Sequence, residues 1–112
     1  MSDSTHIPTH YHLVGDIGGT NARFAFVPPG AHRPTALAKY LVADFSCFDD
    51  VMARLLADWR QLGLPEAGPD KTCFAVAAPP HLDTISFTNS PWRFDRALLE
   101  RHLQRSSITI IN

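Results

Sequence analysis

The sequence predicts an α/β domain built on a mixed sheet, and three observations carry that prediction. Two apolar runs of strand length, residues 11–17 and 22–28, are separated by a tight Gly18-Gly19 turn. An amphipathic stripe follows between Phe48 and Leu62, and strands and helices then alternate to the end of the chain. Closely joined strands followed by alternating helices and strands give the order β-β-β-α-β-β-α-β. A fully parallel, doubly wound sheet would require a helix directly after the first strand, where this chain places a hairpin.

Each element has its own signal. Residues 1–10 are polar, contain Pro8 and read as a loose leader. Residues 11–17 and 22–28 form a hairpin across the glycine turn, and Pro28-Pro29-Gly30 ends the second strand because proline donates nothing to a ladder. A third strand is expected at about 37–44. Ser46 and Asp49 have the spacing of a capping box and predict a helix start at Ser46. Phe48, Val51, Met52, Leu55, Leu56, Trp59 and Leu62 recur at steps of one and three, which makes one apolar helix face. Gly63 and Pro65 stop it. Residues 72–78 suit a buried strand closed by Pro79-Pro80. Residues 82–88 alternate as an edge strand would. Asp95 is the expected N-cap of a helix running to about residue 104, and residues 107–111 form the last strand.

Length and composition bound the function. The 112 residues make one domain, and a 45% hydrophobic content supplies a core. Ten basic and eleven acidic residues leave a net charge of -1, which does not suggest nucleic acid or an anionic membrane as partner. No apolar run approaches the roughly 18–20 residues needed to span a bilayer, and the N-terminus lacks the layout of a secretory signal. Cys47 and Cys73 form no CxxC pair and read as reduced packing residues. The expected location is the cytoplasm.

The chemistry concentrates at Gly15-Asp16-Ile17-Gly18-Gly19-Thr20. Glycines admit positive φ and close backbone approach, successive amides in such a turn can form an anion nest, and Thr20 adds a hydroxyl donor. Asp16 cannot bind phosphate directly, since both are anionic; its natural task is to hold Mg²⁺, which bridges to phosphate. The pattern is neither G-x-x-x-x-G-K-[ST] nor G-x-G-x-x-G. Spacing alone leaves two readings open: a phosphate-and-metal site, or a hairpin turn whose glycines serve only geometry.

Residues 15–23, Gly-Asp-Ile-Gly-Gly-Thr-Asn-Ala-Arg, resemble the first phosphate motif of bacterial glucokinases, members of the hexokinase, actin and heat-shock chaperone superfamily with a ribonuclease-H-like fold. Three more segments follow in family order: Phe74-Ala75-Val76-Ala77-Ala78-Pro79 resembles a core strand, Thr88-Asn89-Ser90-Pro91-Trp92 resembles the T-N-x-x-W segment near the sugar, and Ile110-Ile111-Asn112 resembles the start of I-N-D. The likeness covers about residues 12–112. It implies the actin-like ATPase domain, ATP-dependent phosphorylation of glucose to glucose 6-phosphate, Gly15 to Thr20 on the ATP phosphates, Asp16 near Mg²⁺, and Asn89 and Asn112 on sugar hydroxyls. The family's catalytic base is the aspartate of I-N-D, which would come next after Asn112. By this reading residues 11–112 are an N-terminal domain cut before that base and before a larger second domain, and the chain alone is expected to be inactive. Leu82 stands where the family usually has glycine, which departs from its local turn.

Phosphoryl transfer needs positioning and charge neutralisation, a base for the hydroxyl proton, and amide-bearing side chains that both donate to and accept from sugar hydroxyls. Other residues carry milder readings. Arg23 is a structural partner for a nearby carboxylate before it is a phosphate contact. Trp92 is expected in the core rather than the sugar pocket, and Trp59 in the core of the helix face. His6, His10 and His12 lie close in sequence but no acidic or thiol ligand joins them. Two alternatives from other classes remain: a non-catalytic sugar- or nucleotide-binding module, and a self-associating domain, a homodimer formed through exposed strand edges.

Overall fold

The computed structural model describes residues 10–77, 84–87, 90–104 and 106–111. Strands β1 (His12–Ile17) and β2 (Asn21–Val27) pair antiparallel across the glycine turn, with Gly15 opposite Phe24 and Asp16 opposite Arg23. Strand β3 (Thr35–Leu41) continues the antiparallel run beside β2, with a register irregularity between Phe24 and Ala25. After helix α1 (Phe48–Gln61) the chain returns as β4 (Lys71–Val76), parallel to β1 on its other side. Then come β5 (Thr84–Phe87), β6 (Ser90–Asp95), helix α2 (Arg96–His102) and β7 (Ser107–Ile111), the last parallel to β4. The main sheet has the order β3-β2-β1-β4-β7; β5 and β6 form a separate two-stranded sheet. The mixed α/β sheet anticipated from the pattern is present.

Alternation sorts the strand residues onto two faces. Leu13 and Ile17 of β1, Ala22 and Phe24 of β2, and Thr72, Phe74 and Val76 of β4 are buried on the face the helices cover. Helix α1 lays Phe48, Val51, Met52, Leu55 and Trp59 onto that core. The Trp59 ring meets Tyr11 and Phe26 edge-on, and its indole N–H donates to the Pro65 carbonyl at 2.7 Å. At the other end of α1, Phe48 stacks on Phe94 at 4.1 Å and meets Trp92 edge-on. Buried Thr72 shares a 2.7 Å hydroxyl–hydroxyl hydrogen bond with Ser106, which satisfies the polar group placed in the core.

Several local expectations need correction. The third strand stops at Leu41 and gives way to a 3₁₀ turn, Val42–Asp44; the Val42 amide donates to the Thr20 carbonyl at 2.9 Å and turns the chain out of the sheet. Helix α1 starts two residues after Ser46, with Cys47 as N-cap and no side-chain cap bond. The Ser46 hydroxyl instead approaches the Asp50 carboxylate at 3.4 Å, so no capping box forms. Leu62 falls beyond the helix and is 57% exposed, while Gly63 at φ 79° ends the helix as expected. Strand β6 is an addition to the anticipated order: it opens at Ser90 and pairs antiparallel with β5. Asp95 caps α2 as expected, its carboxylate accepting from the Leu98 amide at 2.8 Å. The leader residues 1–9, and Leu82 with its departure from the family turn, lie outside the described residues.

Candidate functional site

The site grows from the end of β1. Burial of Leu13 and Ile17 forces the intervening Asp16 onto the opposite, outer face of the sheet, where it is exposed. Gly15 sits on the core face, and a Cβ there would lie 2.7 Å from Phe74 Cδ1 and 2.9 Å from Phe24 Cδ1. Its glycine therefore lets two core rings close over the strand, with centroids 5.5 Å apart and an edge-on interplanar angle of 67°. Gly15 positions Asp16 by packing, a structural duty the turn reading had not separated from the turn itself.

The three-residue turn Gly18-Gly19-Thr20 is braced at both ends. The Gly18 amide donates to the Asn21 carbonyl at 3.0 Å, and the Thr20 carbonyl accepts from Val42. Neither Gly18 nor Gly19 adopts positive φ; the positive-φ glycines are Gly30, Gly63 and Gly68. The expectation that these glycines serve a left-handed turn is thereby corrected, and an alternating-handed nest is not formed here. Space is what they provide. A Cβ on Gly19 would meet nothing within 4 Å, and one on Gly18 would meet only the Asn21 carbonyl oxygen at 3.7 Å. The Gly19 and Thr20 amides do not bond to backbone carbonyls among the described residues. Ile17, in the same motif, is fully buried and contributes backbone alone.

Asp16 stands opposite Arg23, and Arg23 opposite Lys39, so one carboxylate and two cations cross β1, β2 and β3 on the outer face. Together with Val14, Ala25 and Leu37 they line a hollow of about 660 Å³. Among the described residues Arg23 makes no ion pair, so its expected structural pairing with a carboxylate is not what the structure shows. Asp16 is likewise without an ion-pair partner among them. Asn21 Oδ1 is buried with no hydrogen-bond partner. A buried acceptor left unmet marks a place for a donor; Asn21 stands within the motif of residues 15–23, but its burial shows only once β2 is folded. Lys39 was missed for a different reason: only the β2–β3 register brings it beside Arg23.

The donor set fits Mg²⁺ carried with phosphate. No group of three or more His, Cys, Asp or Glu side chains converges among the described residues, so they build no self-sufficient metal cage. Mg²⁺ is commonly bound by one or two carboxylates with phosphate oxygens and waters completing the shell, and Asp16 supplies one exposed carboxylate beside an open turn.

Parallel pairing gathers further chain exits at this end. Asp16 is in register with Ala75, and Ala75 with Ile111. The Ala77 amide donates to the Ile17 carbonyl at 3.2 Å and ties the exits of β1 and β4 together. Asn89 and Asn112, expected on the sugar, lie outside the described residues. Trp92 is fully buried, its indole N–H donating to the Phe45 carbonyl at 3.0 Å, and so takes the core role expected of it.

The chain is similar in sequence and fold to known proteins. The chain is 37% identical over 103 residues to a glucokinase of Marinobacter nauticus, covering 92% of this chain and 30% of the relative. It superposes on the crystal structure of a glucokinase from an Antarctic psychrotroph with a TM-score of 0.73 and 25% identity, covering 94% of this chain and 33% of that one. A glucokinase from Balamuthia mandrillaris in complex with glucose shares the fold, with a TM-score of 0.61 and 21% identity, over 96% of this chain and 31% of that one. The chain thus spans about a third of the length of these relatives. The glucokinase family model matches residues 13–112, and the chain belongs to the glucokinase family.

Proposed function

We propose that this chain is the N-terminal part of an enzyme that transfers the γ-phosphoryl group of ATP to glucose, giving glucose 6-phosphate and ADP. The observation that carries the proposal is Asp16: an exposed carboxylate without an ion-pair partner among the described residues, at the end of β1, beside a turn whose glycines leave room for a ligand. Mg²⁺ bound with ATP would supply charge neutralisation for the phosphoryl oxygens, and Asp16 would hold it. The Gly19 and Thr20 amides and the Thr20 hydroxyl would donate to phosphate oxygens, and Arg23 would add a fixed cation. Asn89 and Asn112 would orient the sugar by hydrogen bonds to its hydroxyls. Register supports this division of labour. Ile111 ends β7 two strands from Asp16, about 10 Å across the sheet, and a sugar held there would face phosphate held at the turn.

The relatives that the chain matches are about three times its length, so the 112-residue chain assayed alone is expected to show no turnover. The cytoplasm, where ATP and sugar substrates meet, is the proposed location; none of the described helices is long and apolar enough to cross a membrane. The test is glucose phosphorylation with Mg-ATP by the chain joined to its native downstream sequence, beside Asp16→Asn in the same protein. The expected outcome is activity in the parent and a fall in kcat of at least roughly a hundredfold in the variant, the scale seen when a charge-stabilising group is removed, with glucose affinity retained. An inactive parent that nonetheless binds glucose or ATP would favour a non-catalytic module. Full activity in Asp16→Asn would refute the role given to Asp16.

A further inference from the structure

A second hollow lies on the helix side of the sheet, opposite the face that carries Asp16. It encloses about 460 Å³ where the last turns of α1 and α2 meet the loop before β4. Small-molecule sites commonly occupy roughly 300–1,000 Å³. Arg60 from α1 and Arg101 from α2 both line it, and both are exposed. Neither has an ion-pair or hydrogen-bond partner among the described residues, unlike Arg54, which pairs with Asp58, and Arg96, which donates to the Ile108 carbonyl. Glu66 is the carboxylate on the lining. The walls also include half-buried Leu56 and buried Pro69 and Leu103.

Basic residues in a helix's last turn favour its negative dipole end, and that accounts for Arg60 and Arg101 taken singly. It does not require them to converge from two helices on one hollow. Two guanidinium groups offer forked donors matched to a tetrahedral dianion, and the apolar wall suits a carbon body attached to it. We infer that this hollow is a binding site for a small phosphate monoester, its phosphate between Arg60 and Arg101 and its organic part against Leu56, Pro69 and Leu103. The site is separate from the phosphate turn at Gly18–Thr20 and does not depend on the activity proposed above.

The test is a titration of the isotope-labelled chain, followed by amide and guanidinium NMR, with phenyl phosphate, inorganic phosphate and phenol in separate arms at constant ionic strength. Saturable shifts are expected at Arg60, Ala67, Gly68 and Arg101 with phenyl phosphate, weaker saturable shifts at the same residues with inorganic phosphate, and none with phenol. Equal affinity for the two phosphates would overturn the role of the apolar wall. Arg60→Gln and Arg101→Gln should each weaken binding by roughly tenfold, the worth of one charge-assisted hydrogen bond, while Asp16→Asn leaves it unchanged. Both arginines are exposed, so the amide spectrum away from the hollow should be preserved and report an intact fold. Shifts reproduced by chloride, an undiminished response in both arginine variants, or no saturation at all would overturn the inference.

Discussion

Replacing Gly15 by alanine tests whether core packing, rather than turn conformation, fixes the residue before Asp16. A methyl group at that position would lie 2.7 Å from Phe74 Cδ1 and 2.9 Å from Phe24 Cδ1, about an ångström inside the optimal carbon–carbon separation of roughly 3.5–4.0 Å. Neither ring can swing aside freely: Phe74 is fully buried, Phe24 is 3% exposed, and each closes on the other edge-to-face. Overpacking a dense core costs about 1–3 kcal/mol. Replacing glycine also removes unfolded-state freedom, which returns about 0.4–1 kcal/mol where the backbone geometry is tolerated. The net expectation is a loss of about 1–2 kcal/mol. At roughly 4–8 °C per kcal/mol for a domain near this size, Tm should fall by about 4–16 °C. Thermal unfolding followed by circular dichroism measures it. A second arm separates steric overlap from generic strand effects: in a Phe74→Leu background, where the nearer of the two clashing rings is gone and the Phe24 ring gains room to shift, Gly15→Ala should cost less. An unchanged or raised Tm for the single variant would refute the reasoning, as would equal costs in the two backgrounds.

Tyr40 and Trp92 support two further expectations. Burial, then the 2.5 Å hydrogen bond to the Asp58 carboxylate and its negative charge, push the Tyr40 phenol well above the ordinary tyrosine value of about 10. The folded state therefore keeps this proton longer than the unfolded state: its stabilisation is fully present below about pH 10 and is lost as pH rises beyond it. Unfolding free energies measured across that range should fall more steeply for the parent than for Tyr40→Phe, and parallel slopes would refute the assignment. Trp92→Phe removes the indole bond to the Phe45 carbonyl and leaves a void beside Phe48. It should cost about 2–3 kcal/mol in chemical denaturation, and a loss below 0.5 kcal/mol would contradict the core role given to Trp92.

The hairpin, the α1 face and the α2 cap were legible because each is written locally. Apolar runs flank paired glycines, seven apolar residues follow helical spacing, and an aspartate stands one residue before the helix it caps. The limits have physical causes as well. Ser46 and Asp49 have capping-box spacing, yet the helix begins at Phe48 with Cys47 as its N-cap, and the Ser46 hydroxyl turns to the Asp50 carboxylate instead. Strand β6 was hidden because Pro91 speaks against a strand interior, whereas a two-stranded sheet leaves room for a residue with no amide to donate. The candidate site divided along the same line. Asp16, Gly18, Gly19 and Thr20 stand together in sequence and read as a phosphate turn. Lys39, sixteen positions beyond Arg23, joins them only through a register that two earlier residues, Phe24 and Ala25, interrupt.

The sheet order explains why this turn, among the several in the chain, becomes the place for chemistry. Strand β1 has an antiparallel neighbour on one side and a parallel neighbour on the other. The chain leaving β1 turns back into the hairpin with β2, while β4 lies on the other side of β1 and runs parallel to it. Ligand crevices in open α/β sheets form at carboxyl strand ends. Here the carboxyl end of β1 holds the one position on that strand where alternation turns a carboxylate away from the core, beside two glycines that place no side chain over it. The antiparallel pair alone would make an ordinary hairpin, and the parallel pair alone would lack the open turn. Their meeting at β1 gives Asp16 a free approach for a ligand and sets the end of β7 two strands away.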